Sequence, residues 1–433
     1  MKIGFISLGC SKNLVDTEMM IGLLEKGKIQ IVNNPQEAEV IVINTCGFIE
    51  NAKQEAINTI LEMAEYKESG ACKYLVVTGC LVERYKKDLE ESLPEVDLFI
   101  AINEYNKFAE KVEELTRLEL NNCQLEYLDR HITTGEDTAY LKIAEGCSNR
   151  CTYCAIPYIR GPYVSRPMED ILQEAQKLND KGIKEIIVIA QDTTKYGIDL
   201  YGEAKLPELL QKLCEFESFK WIRFLYSYPE SITDELIQVV KNNEKICHYF
   251  DIPIQHISDP ILKTMNRKST GEQIEKIIQR IKLQIPEAVL RTSLIVGFPG
   301  ETEEDFEKLY NFVEKAKFNK LGVFEYSKED GTPAERLKGH LPKKVKNERW
   351  NKIMKLQQAI SGEKLKECIG KEYEVLVEKV TDKYIIGRTK MDVPDMDGLI
   401  YLKNTEPVEI GQFVKGIVTS VKEYDLIGRL KTE

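Results

Sequence analysis

Gly146-Cys147-Ser148-Asn149-Arg150-Cys151-Thr152-Tyr153-Cys154 is the stretch from which the rest of the chain can be read. Its CxxxCxxC spacing falls directly after a strand-like run, Tyr140–Ala144. Three thiolates on one short loop can reach three corners of a single cluster or metal ion. No fourth cysteine follows at a short spacing, so one iron of a [4Fe-4S] cube would keep an open position for a substrate. The competing reading is a zinc knuckle that borrows a distant fourth ligand.

Working outward, residues 135–335 alternate strands with helical stretches. Further strand candidates are Glu185–Ala190, Trp221–Tyr226, Tyr249–Ile254, Val289–Val296 and Leu321–Tyr326. Helix-period segments lie between them, at Met168–Asp180, Leu206–Cys214, Asp234–Lys241, Glu272–Leu283 and Glu303–Lys315. Six βα units are too few for a closed eight-fold barrel, so the pattern predicts an open (βα)6 partial barrel. The cysteine loop then sits at the carboxyl end of its first strand, the face on which such folds place their chemistry.

Residues 1–125 carry the same alternation on a smaller scale. Ile3–Ser7, Val40–Asn44 and Tyr74–Thr78 read as strands, and Asp16–Lys26 and Ala52–Tyr66 as helices. This predicts an N-terminal parallel sheet covered on both faces. Residues 338–366 hold eight Lys and one Arg against Glu348 and Glu363 and read as a basic linker helix. From residue 371 to 433 the pattern becomes short strands separated by turns, as in a small five-stranded β-barrel. The chain is thus read as α/β overall. Its length of 433 residues, at roughly 150 per domain, agrees with three domains.

Composition narrows the class. Hydrophobic residues make up 42% and charged residues 30%, which describes an ordinary globular protein. A net charge of −11 argues against a surface coated for nonspecific nucleic-acid binding. No apolar run approaches the roughly 18 residues of a membrane span, and the first residues lack the basic-then-apolar pattern of a secretion signal. The expected location is cytoplasmic, with no membrane partner. Eleven cysteines in such a chain argue against a disulfide framework, and four histidines argue against His-rich zinc chemistry.

A second cysteine set emerges from topology. Cys10, Cys46 and Cys80 each lie one to three residues beyond a predicted strand of the N-terminal sheet. Parallel strands align those ends along one edge, so cysteines some 35 residues apart should converge there. Gly9, Gly47 and Gly79 flank them and allow a tight backbone. The bland alternative is three buried small hydrophobes. Cys72, Cys123, Cys214, Cys247 and Cys368 show no such pattern and are expected in packing or at the surface.

These residues resemble a known family. CxxxCxxC with Tyr153 before its last cysteine resembles the radical S-adenosylmethionine (SAM) enzymes. The Cys10/Cys46/Cys80 trio together with a small C-terminal barrel resembles the methylthiotransferases, whose terminal barrel is of the TRAM type. Ser7–Glu18 (SLGCSKNLVDTE), Tyr226–Glu230 (YSYPE), Asp251–Arg267 and Ile295–Phe306 resemble the RimO type. Enzymes of that type modify an aspartate of the twelfth small-subunit ribosomal protein. The sister MiaB type, which acts on tRNA adenosine, typically has Gln-Met-Asn where this chain has Ser11-Lys12-Asn13.

The resemblance implies two [4Fe-4S] clusters and SAM as cofactors. Cys147, Cys151 and Cys154 would hold the cluster that cleaves SAM to methionine and a 5′-deoxyadenosyl radical. Cys10, Cys46 and Cys80 would hold the one carrying the sulfur that is methylated and transferred. A low-potential donor such as flavodoxin or ferredoxin would supply electrons. SAM contacts are expected from Tyr153, from Gln191 or Asp192 where many relatives carry Gly-Gly-Glu, and from Ser293 and Gly297 on the adenine-contacting strand. The protein positions and shields, while the cofactors supply the reactivity.

Charge suggests the partners. Lys343, Lys344, Lys346 and Arg349 of the basic segment are expected to meet phosphates of ribosomal RNA. Residues 371–433 carry a net charge of −2, unlike a tRNA-docking surface. Asp392, Asp395 and Asp397 cluster on one turn and are expected to bind a basic segment of the protein substrate. Methylthiolation of tRNA adenosine is the runner-up. An iron–sulfur carrier or plain RNA-binding module is the third reading.

Overall fold

The computed structural model describes every residue except 28, 119, 121–123 and 432–433. Cys123 therefore lies outside the described residues.

In the N-terminal unit, β1 (Lys2–Ser7), β2 (Gln30–Val32), β3 (Val40–Thr45), β4 (Tyr74–Gly79) and β5 (Leu98–Ile100) form a parallel sheet in the order β2-β1-β3-β4-β5. Every residue of β3 is buried, as expected of a parallel strand covered on both faces. Its alternation divides two cores: Ile41 and Ile43 pack with Ala56 and Ile60, whereas Val40 and Val42 pack with Met20, Leu24 and Phe108. The covering helices are α1 (Ser11–Lys26), α2 (Glu50–Ala64), α3 (Cys80–Ser92) and α4 (Phe108–Thr116). The short edge strands β2 and β5 carry only three residues each, too few for a periodic signal.

The central unit contains β6 (Thr138–Lys142), β7 (Glu185–Ile189), β8 (Trp221–Phe224), β9 (Tyr249–Asp251), β10 (Val289–Val296) and β11 (Lys320–Glu325). Strands β6, β7 and β8 pair in parallel, as do β9, β10 and β11. A parallel bridge between Ile222 and Ile246 joins the two halves into one open arc. Helices cover its outside, and the predicted six-unit partial barrel is the fold observed.

Helix α5 (Lys343–Lys366) buries Ile353 and Ile360 against the central unit and leads to the terminal one. There β12 (Glu372–Val380), β13 (Tyr384–Arg388), β14 (Ile400–Lys403), β15 (Phe413–Lys422) and β16 (Asp425–Leu430) close a barrel in the order β12-β13-β14-β16-β15. No described helix is long and apolar enough to cross a membrane.

The flanking units fill the inside of the arc. Val15 of α1, and Leu376 and Val393 of the terminal unit, pack in one cluster with Tyr140, Ile187, Ile189, Trp221, Leu225 and Tyr249. A buried ion network seals the terminal contact. Glu185 accepts from Arg223 at 2.6 Å and from Arg388 at 2.5 Å.

Two sequence expectations change here. In the acidic turn, Asp392 is buried and pairs with Lys320 at 2.7 Å, and Asp397 accepts from the Tyr249 hydroxyl at 2.7 Å. Both carboxylates dock the terminal barrel onto the central strands and are not free to bind a substrate; only Asp395 is exposed. In the basic helix, Arg349 is buried against Glu301 at 2.8 Å, and Lys346 donates to the Tyr326 carbonyl at 2.7 Å. Lys343 and Lys344 alone of the four stand exposed. Sequence charge counts could not separate cations spent inside the protein from those facing solvent.

Candidate functional site

The N-terminal cysteines do converge. Cys10 precedes α1, Cys46 follows β3, and Cys80 opens α3 directly after β4. Because β1, β3 and β4 are neighbours in the sheet, their carboxyl ends bring the three thiols to one place. Gly9 has φ +89°, and a Cβ there would lie 2.7 Å from the Cβ of Cys46 and 3.1 Å from its Sγ. Gly79 has φ +99°, with a Cβ position 2.3 Å from Asn44 Oδ1. Glycine is required at both positions for backbone freedom and for space.

Asn13 organises this trio. Its Nδ2 donates to the carbonyls of Leu8 at 3.1 Å and Thr45 at 3.0 Å, tying the ends of β1 and β3 together. Its Oδ1 accepts from Cys80 Sγ at 3.4 Å and from Arg160 Nη2. Arg160 Nη2 also lies 3.5 Å from Cys80 Sγ, so a cation from the central unit reaches the N-terminal thiols.

The second trio sits beyond β6. The Cys154 N–H donates to the Cys151 carbonyl at 3.1 Å and that of Cys147 to Gly161 at 3.1 Å, which folds the loop back on itself. Tyr228 Oη lies 3.7 Å from Cys151 Sγ, and Arg267 Nη1 lies 3.9 Å from it. The Arg267 guanidinium stacks on the Tyr228 ring at 4.2 Å. Each trio therefore has one buried arginine against a thiol.

The donor set fits iron–sulfur clusters. All six positions are soft thiol ligands, and their surroundings penalise uncompensated charge. Burial pushes the Cys46 thiol up to about 12, and the neighbouring Cys80 and Cys10 add to the shift. Burial likewise raises Cys147 and Cys154, with Cys151 contributing to both. Mutual repulsion of three thiolates is what a cationic iron core would relieve. Neither trio is drawn in to the spacing of ligands on one ion, for no such group exists among the described residues.

The expected SAM contacts separate on inspection. Asp192 is committed to the cysteine loop, accepting from Asn149 at 2.9 Å and Thr194 at 2.6 Å. Gln191 donates to Glu145 at 3.0 Å but leaves its buried Oε1 without a partner, an acceptor fit for an ammonium group. Tyr153 is half-buried, edge-on to Phe298 at 6.5 Å. The Ser293 carbonyl accepts from the Gln255 N–H at 2.9 Å. Gly297, at φ +72°, faces Lys346, whose Cγ lies 2.4 Å from where a Cβ would stand. Its glycine thus serves the crossing of α5.

The two trios lie on either side of one interface between the N-terminal and central units. Asp16 of α1 accepts from Lys142 at 2.5 Å and from Arg160 at 2.6 Å. Lys12 of α1 lies over the Tyr226 ring, its Nζ 3.0 Å from the centroid. Burial lowers its ammonium to about 8, against the opposing pull of Cys10 and Asp251. Lys12, Asn13, Arg160, Tyr228 and Arg267 were given no site role from sequence, although Lys12 and Asn13 lie in the tripeptide that sets the chain apart from the sister type. Four of them lie inside the family-like stretches quoted above, whereas Arg160 carried no signal of its own. Cys72, Cys247 and Cys368 are buried and Cys214 is half-buried, all away from either trio's loops.

Residues 141–313 match the model of the Radical SAM superfamily, residues 2–101 that of Uncharacterized protein family UPF0004, and residues 369–430 that of the TRAM domain. The "Ribosomal protein uS12 methylthiotransferase RimO" of Alkaliphilus oremlandii is 60% identical over 100% of both chains. The protein of that name from Clostridioides difficile is 51% identical over 99% of this chain and 98% of its own. Among solved structures, the radical SAM methyltransferase TsrM from Kitasatospora setae, with cobalamin and a [4Fe-4S] cluster bound, aligns at a TM-score of 0.58. It is 12% identical over 77% of this chain and 76% of its own. The cobalamin-dependent radical enzyme OxsB aligns at 0.54, with 13% identity over 82% of this chain and 56% of its own. At such identities the likeness is one of fold.

Proposed function

The chain belongs to the RimO family of ribosomal protein uS12 methylthiotransferases, and from that premise we propose that it inserts a methylthio group at an unactivated C–H of an aspartate in the twelfth small-subunit ribosomal protein. The observation that supports this most directly is the pairing of two cysteine trios across one buried interface, spanned by Asn13, Asp16 and Arg160. Cys147, Cys151 and Cys154 would hold one [4Fe-4S] cluster, and Cys10, Cys46 and Cys80 would hold the other. When bound, these clusters supply reductive SAM cleavage in the central unit and the sulfur for methylation in the N-terminal one.

The chain's own residues bind, orient and screen. Arg160 and Arg267 place positive charge against the two thiolate sets. Asn149 and Asp192 fix the central loop, and so the backbone that carries the three thiols that would hold a cluster there. Gln191, with its unpartnered Oε1, would accept from the SAM ammonium, and Tyr153 and Ser293 would contact the nucleoside. The packed interface excludes water, which protects reactive species from quenching.

A protein substrate suits the terminal barrel, whose net charge of −2 does not favour phosphate. Exposed Asp395 is the one carboxylate of its turn free to meet a basic substrate segment. Lys343 and Lys344 contact ribosomal RNA when the enzyme works on the ribosome. Reversing both charges should weaken ribosome association more at low than at high salt. The enzyme acts in the cytoplasm with a low-potential flavodoxin- or ferredoxin-type donor.

The deciding experiment supplies reconstituted enzyme, SAM and reductant with unmodified ribosomes, and separately with unmodified tRNA. Intact-mass analysis should show one methylthio group on the ribosomal protein. Modification of tRNA adenosine in its place would move the chain to the sister type.

A further inference from the structure

Nine lysine and arginine side chains are buried among the described residues. Eight of them meet a carboxylate or carbonyl oxygen, as buried cations must to offset lost hydration. Lys12 is the exception. It is 6% exposed, and its ammonium has neither a hydrogen bond nor an ion pair among the described residues.

Nearby acids do not answer it, because they are already engaged. Asp251 accepts from Arg291 at 2.7 Å and from the Tyr226 N–H at 3.0 Å. Glu145 is shared by Lys142 at 2.8 Å, Arg160 at 3.2 Å and Gln191 at 3.0 Å. What holds Lys12 is the face of Tyr226, a contact worth about 0.5–2 kcal/mol and weaker than a buried ion pair. Tyr226 itself is built for that position. It is a non-glycine residue at φ +63°, and the Asp251 carboxylate pins its N–H. Backbone strain of this kind persists where the surroundings enforce it, and it concentrates at functional sites.

The location completes the argument. Lys12 is two residues from Cys10, and Tyr226 lies just past the carboxyl end of β8. The ammonium thus stands at the interface of the two units, two residues from Cys10 on one side and over the Tyr226 ring just past the carboxyl end of β8 on the other. We propose that Lys12 is the receptor for the carboxylate of the target aspartate, pairing with it and orienting the adjacent C–H toward the central site. Tyr226 serves as the resting platform that keeps the ammonium in place between turnovers. This rests on the ribosomal-protein reading given above.

The test is binding to the reconstituted holoenzyme, read by fluorescence anisotropy with two peptides from the substrate loop, one with the target aspartate and one with asparagine there. Wild type should prefer the aspartate peptide by about tenfold or more, the scale of a charged hydrogen bond. Lys12→Met should abolish the preference, and Lys12→Arg should retain part of it. Lys12→Met removes an ammonium that has no hydrogen bond or ion pair among the described residues, so its fold should persist, and its iron content confirms that. A preference unchanged in Lys12→Met, or absent in a wild type that still modifies the ribosomal protein, overturns the role of Lys12. A wild type that neither binds nor modifies the ribosomal protein overturns the substrate reading itself, and this inference with it.

Discussion

Replacing Glu185 by Ala should loosen the terminal barrel from the central unit more than any other single change at their contact. Glu185 is fully buried and is, among the described residues, the only carboxylate meeting Arg223, while it shares Arg388 with Glu378. Its loss leaves Arg223 with the Lys390 and Thr389 carbonyls at 2.6 and 2.9 Å, and Arg388 with Glu378 at 2.5 Å and the Asp392 carbonyl at 3.0 Å. Breaking a buried pair costs about 3–5 kcal/mol when a charge is stranded. The surviving partners keep the estimate for Glu185→Ala near the lower end of that range, about 3 kcal/mol. Arg388→Ala should cost less, because Glu185 retains Arg223. The double variant should fall short of the sum by about 1–3 kcal/mol, since the two residues share one network. Trp221 provides the readout. Its Nε1 donates to Glu374 of the terminal barrel at 3.0 Å, and its ring lies 5.0 Å from Phe413. The chain has only two tryptophans, so a Trp350→Phe background isolates the signal in urea titrations. Losses under 1 kcal/mol for Glu185→Ala, or strict additivity in the double variant, would refute the reasoning.

Three further outcomes are expected. The reconstituted protein should carry about eight iron atoms. Ala at Cys147, Cys151 and Cys154 should leave about half of that iron and no SAM cleavage, whereas Ala at Cys10, Cys46 and Cys80 should leave half with cleavage retained; full iron in the second variant sinks the N-terminal assignment. Gly9→Ala should mimic the N-terminal triple variant in iron content, because its Cβ displaces Cys46 and its φ of +89° strains alanine by about 1–2 kcal/mol; normal iron content would show that the loop can relax. Burial holds His256 down to about 3, between Asp305 and Arg349, so the unfolded chain takes up a proton that the native one refuses. Stability should therefore fall as pH drops below about 6.5, by up to about 1.4 kcal/mol per pH unit from this group. His256→Asn should flatten that slope in urea titrations between pH 7.5 and 5.5, and an unchanged slope would clear His256 of the effect.

The strands that carry the cysteines were legible as short apolar runs, most clearly Val40–Thr45, which is buried on both faces. The convergence of Cys10, Cys46 and Cys80 followed from parallel topology alone, since strand ends in a parallel sheet share an edge. Charge was the weak signal. Asp392, Asp397, Lys346 and Arg349 read as surface groups, yet each is paired inside an interface between units. A sequence shows the sign of a side chain but not its long-range partner: Asp392 finds Lys320, and Arg160 finds Asp16. The same limit hid Arg160 and Arg267, whose value lies in the thiols they approach.

Helix α1 explains how two cysteine trios on separate units keep a fixed relation. It carries eleven buried residues, several of them polar, which is unusual for a helix between an apolar sheet and a barrel. Positions 12, 15, 16 and 19 recur at helical spacing and face the central unit, where Lys12 meets Tyr226, Val15 and Met19 join its inner core, and Asp16 binds Lys142 and Arg160. Positions 13, 17 and 20 face the sheet, where Asn13 ties β1 to β3 and Thr17 meets Ser7 and Asn44. Glu18 locks the next turn through Arg130 and the Thr133 N–H. Sliding or turning this helix would strand at least one charge in a buried interface, a cost of several kcal/mol. The reach between the two cysteine trios is thus set by one helix bonded on both faces, with Cys10 just before its first turn, and a substrate chain must enter to a site whose two ends are already fixed.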